Sequence, residues 1–76
     1  MTASELEQLL IARLVRARGG SSQTWRRALG AVIVRDTKTY VHCNWEVRPG
    51  GTDAQRAAIE DLLDHVRLEH SIVTAG

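Results

Sequence analysis

The stretch ALGAVIVRDTKTYVHCNWEV, Ala28 to Val47, decides the fold. Two β-branched, apolar runs flank the polar turn Asp36-Thr-Lys-Thr39, which is the composition of an antiparallel β-hairpin. The first strand is expected to begin between Thr24 and Ala28 and end at Val34, and the second to run from Thr39 to Val47. The turn lacks the Asn-Gly or Asp-Gly of a tight two-residue loop, so the register must come from patterning. A loop of two or four residues sets Val34 opposite Val41, Val32 opposite Cys43, Gly30 opposite Trp45 and Ala28 opposite Val47. All eight then share one face, whereas an odd loop would mix the faces.

A lone hairpin is marginal in water and needs cover on at least one face. The flanking segments supply it. Residues 4–18 read as a helix: Ser4-Glu-Leu-Glu7 is a capping-box pattern, Thr2-Ala-Ser-Glu5 is a second, and Gly19-Gly20 is a stop. Leu6, Leu10, Leu14 and Ala17 form one stripe at helical spacing, and Ile11 and Val15 fall on a second side. Gly19-Gly-Ser-Ser-Gln23 reads as a polar linker. Arg48-Pro-Gly-Gly51 ends the second strand, and Thr52 or Asp53 caps a second helix from about Ala54 to Glu69 or His70. Its stripe is Ile59, Leu62, Leu63 and Val66. Ile72 and Val73 suit a tail docking as a short strand. The expected fold is therefore a small α+β domain over residues 1–76, a two-layer α-β-β-α arrangement. Both helices cover the Val41/Cys43/Trp45 face of the hairpin.

A chain of 76 residues has room for one thin core. Cys43 is its single cysteine, which excludes an internal disulfide and fits a reducing compartment. The amino-terminal residues have no apolar leader, and no apolar run approaches the roughly 20 residues of a bilayer span. A cytoplasmic protein without membrane contact is expected. Net charge is +1 but unevenly placed: residues 1–48 carry eight basic and four acidic side chains, and the rest carry two basic and five acidic. This asymmetry suits either a basic binding face or two halves that attract each other, within a monomer or across a dimer.

Candidate chemistry is sparse. His42, Cys43, His65 and His70 lack the spacing of a metal site, and neighbours in a strand such as His42 and Cys43 point to opposite faces. Cys43 reads as a structural thiol under the helices rather than a nucleophile. No nucleotide fingerprint, nucleophile elbow or carboxylate pair is apparent, so neither an enzyme nor a cofactor is expected.

The remaining candidate is the outer hairpin face. The expected register places Trp25, Arg27, Leu29, Ala31, Ile33 and Arg35 there beside Tyr40, His42, Asn44, Glu46 and Arg48. Trp25, Arg27, Arg35, Tyr40, His42, Asn44, Glu46 and Arg48 are the expected binding residues. Their apolar members are too many to leave in water on so small a domain. Together with the second side of the first helix, they predict a self-associating interaction or regulatory module, most simply a homodimer. A nucleic-acid-binding protein using the basic hairpin and first helix is the alternative.

Overall fold

A computed structural model describes residues 1–75 of the chain. Its elements are α1 (Ala3–Arg18), α2 (Ser22–Leu29), β1 (Val32–Val34), β2 (Trp45–Val47) and α3 (Asp53–Glu69). The strands pair antiparallel in a two-stranded sheet, giving an α+β domain in which the expected α-β-β-α order holds and one further helix precedes the hairpin.

The helix boundaries follow local chemistry. Thr2 caps α1 in a reciprocal box with Glu5, the second of the two candidate patterns, and Thr52 caps α3 in the same way with Gln55. Gly19, at φ 78°, closes α1 with its N–H on the Val15 carbonyl. The tract expected as a linker and strand start, residues 19–29, instead turns at once into α2. Ser21 caps that helix by accepting the Thr24 N–H, and Gly30, at φ 74°, ends it. Trp25, Ala28 and Leu29 fall three and four apart, and all three are buried. That spacing forms a helical stripe and cannot alternate as a strand does.

The added helix accounts for the surplus apolar surface of α1. This helix packs against α2, β1 and α3. Ile11 on its second side is buried beside Leu6, Leu10 and Leu14, and Val15 is partly covered. Ile59, Leu63 and Val66 of α3, Leu29 of α2, and Trp45 and Val47 of β2 complete the core.

The register differs from the expected one. Val32 pairs with Val47, Ile33 with Glu46 and Val34 with Trp45, a slip of four positions, leaving a ten-residue connection from Arg35 to Asn44. Because four is even, each strand keeps its faces: Val32, Val34, Trp45 and Val47 still share the core side. What changes is the fate of Tyr40 to Cys43, which lie in the connection and not in a strand. The cause is Asn44. Its carbonyl accepts the Arg35 N–H at 2.6 Å, but its own N–H turns away to the Ser71 carbonyl, so the ladder stops there.

Candidate interaction surface

The connection between the strands is ordered by its own polar groups. The Asp36 carbonyl accepts the N–H groups of Thr39 and Tyr40, and the Asp36 side chain accepts the Lys38 N–H. The guanidinium of Arg35 lies 5.4 Å from the Tyr40 ring centroid and is hydrogen-bonded to Glu46, which also accepts from Arg48 at 3.2 Å. Arg35, and then Arg48, hold the Glu46 carboxyl below its ordinary value. Tyr40 is 43% and Val41 63% exposed at the far end of this frame.

The eight expected site residues therefore divide. Arg35, Tyr40, Glu46 and Arg48 come together on the outer side of the hairpin, and His42 is exposed in the same connection. Trp25, Arg27 and Asn44 do not join them. Trp25 lies in α2 with its ring in the core and its indole N–H on the Gly19 carbonyl at 2.7 Å. Arg27 lies on the exposed side of the same helix. Leu29, expected on the outer face, is fully buried.

Asn44 is buried at 2% exposure, and its side chain acts as a surrogate for backbone. The amide donates to the Val73 carbonyl at 2.7 Å and to the Arg35 carbonyl at 3.2 Å, while its oxygen accepts the Val73 N–H at 2.8 Å. Every donor and acceptor of that amide is matched, as burial demands. The tail is thus tied to the end of the strand connection. Its other side pairs with the amino terminus: Thr2 and Thr74 form a parallel bridge, with Ala3 N–H on the Thr74 carbonyl and Thr74 N–H on the Met1 carbonyl. Val73 docks as expected of the tail, whereas Ile72 remains 43% exposed.

Electrostatics answer the question raised by the uneven charge. Arg13 of α1 grips Glu69 of α3 through two hydrogen bonds, at 2.8 and 3.0 Å, and Arg18 approaches Asp61 to 3.8 Å. The basic and acidic parts of the chain meet within one molecule. Arg26 pairs with Glu7, Arg56 with Asp53 and Arg67 with Asp64. Among the described residues, only Arg16, Arg27 and Lys38 have no carboxylate partner within ion-pair distance. The groove between α1 and α3, about 180 Å³, has its two cations, Arg13 and Arg18, already facing these carboxylates.

Cys43 is free and partly buried, with its thiol donating to the Trp45 carbonyl at 3.4 Å. No cluster of three or more His, Cys, Asp or Glu able to hold a metal occurs among the described residues. Nor is any helix there long and apolar enough to cross a membrane.

Sequence reasoning missed the tail's attachment to Asn44. One signal could have pointed to it: an amide flanked by Cys43 and Trp45 at the start of a core strand must find buried partners. Comparison of the chain with family models, curated proteins and solved structures finds no match.

Proposed function

We propose that this protein is a small, non-catalytic interaction module that self-associates through the strand connection, residues 35–44. The observation that carries this reading is the form of that connection. Hairpin loops usually take two to five residues. This one takes ten, is braced at Asp36, Arg35 and Asn44, and presents Tyr40 and Val41 to water. Ordering a segment costs conformational entropy, so a braced loop with an apolar tip suits docking better than mere connection.

The partner we favour is a second copy of the chain, since closed homo-oligomers are the commonest assemblies of soluble proteins. The earlier grounds for self-association, Ile11 and the Trp25/Leu29 surface, play no part, because those side chains are covered within the chain. A protein partner other than itself would use the same tip. Nucleic acid binding draws less support: seven of the ten basic side chains already face carboxylates. The single free thiol fits a reducing, cytoplasmic setting.

Light scattering across micromolar to millimolar concentration tests the reading. The expected result is a concentration-dependent rise toward twice the monomer mass, weakened at least tenfold in Kd by Val41→Ser. A monomer at every concentration would overturn it.

A further inference from the structure

The tail, residues 71–74, is held almost wholly by parts of the chain far from it in sequence. Its partners are Asn44, through three hydrogen bonds to Ser71 and Val73, and Met1 to Ala3, through the Thr74 bridge. Val73 fills the core at 2% exposure. One residue, His70, separates this tail from α3, and its carbonyl receives the Trp45 indole N–H at 2.7 Å.

These contacts make the tail's socket demanding. When the tail leaves, the buried Asn44 amide loses two bonds to Val73, its backbone N–H loses Ser71, and the apolar seat of Val73 opens. An empty socket is therefore the least favourable state, and it calls for refilling. The filler must offer an extended backbone with its N–H and carbonyl set for the Asn44 amide and a β-branched side chain between them. A second copy of the same tail meets that description. None of the bonds to Asn44 or the amino terminus depends on which molecule supplies the tail.

We propose that the dimer forms by reciprocal exchange of residues 71–74, each tail seating on Asn44 and the amino terminus of the other copy. This rests on the self-association reading and names the segment that crosses between molecules. Exchange conserves the tail's bonds to Asn44 and the amino terminus, and swapping that conserves contacts is an inexpensive route to dimers. Asn44, on which the exchanged tail would seat, is also the last residue of the strand connection.

The test uses the full chain without substitution. Separately 15N-labelled and 13C-labelled protein are unfolded together, refolded and concentrated until light scattering shows a dimer. Isotope-filtered NOE spectra are then searched for contact between the 15N side-chain amide of Asn44 and the 13C methyls of Val73. Those atoms lie on different molecules only if tails have exchanged. The expected result is a cross-peak that grows with the dimer fraction and is lost on dilution. A dimer without that cross-peak overturns exchange and leaves self-association standing. A monomer throughout overturns both.

Discussion

Two corners of the molecule are pinned in the same way and yet differ in what holds them. At the first, α1 turns into α2, and the Trp25 indole donates to the carbonyl of Gly19, the residue that ends α1. At the second, α3 gives way to the tail, and the Trp45 indole donates to the carbonyl of His70, which ends α3. The first corner turns on Gly19 and Gly20, both at positive φ, and is followed by a helix with its own serine cap. Its chain direction is set by local residues. The second has no glycine at the turn and leads, among the described residues, into the extended tail rather than a helix. Its direction is set by Asn44, in the strand connection 29 residues away from Val73, and by the amino terminus. A local corner can form early and alone; a borrowed one exists only once the rest has assembled.

The largest expected effects come from cutting the pins themselves. Trp25→Ala and Trp45→Ala should each cost about 3–5 kcal/mol in urea unfolding, since both rings are buried. The comparison predicts a difference in where the damage spreads. Hydrogen exchange of the Val73 and Thr74 amides should accelerate selectively in Trp45→Ala. Equal acceleration in Trp25→Ala would show that the corners are one cooperative unit.

Asn44→Ala is next. Removing the amide orphans the Val73 N–H and two carbonyls, a loss of about 2–3 kcal/mol, because the tail can open and hydrate instead of staying buried and unpaired. Faster exchange confined to the tail, with α1 and α2 amides unchanged, is the expected signature. Global destabilisation equal to that of the tryptophan variants would contradict a tail held separately.

The smallest effect concerns the α1–α3 clasp. Arg13 holds the Glu69 carboxyl below its ordinary value, as Arg35 does for Glu46 and the Thr2 backbone N–H for Glu5. A depressed carboxyl pKa stabilises the fold above the unfolded-state value and is lost as pH falls through the folded one. Stability should therefore be level near neutrality and decline once pH drops below about 4. Glu69→Gln should shallow that acid decline without moving exchange rates in the tail, and its effect at neutral pH should shrink with added salt. A tail response would link the clasp to the second corner.

The contrast between corners also explains what could be read from the residues alone. The capped ends of α1 and α3, their inward stripes and the inner face of the hairpin all rest on short-range patterns. The helix α2 was obscured because eight residues hold too few turns for periodicity to stand out, and its Trp25, Ala28 and Leu29 run into the β-branched Val32–Val34. The early end of the ladder and the burial of Asn44 depend on Ser71 and Val73, which no local window contains. Of the outer face, Arg35, Glu46 and Arg48 fall together because parity survives an even slip, and Tyr40 joins them through the Asp36 turn; Trp25 and Arg27 lie elsewhere because they belong to α2, and Asn44 because its side chain turns inward to the tail.

The bridge between Thr2 and Thr74 has a kinetic consequence. It joins residues at nearly opposite ends of the chain, and the entropy of closing such a loop grows by about 0.6 kcal/mol with each doubling of its length. Contacts of that span form quickly only after others have shortened the path. Here α1 packing on the hairpin, and the hairpin bringing Asn44 to the end of α3, shorten it from both sides. Tail docking should thus be the last event of refolding, with the Val73 and Thr74 amides protected after those of α1 and α3.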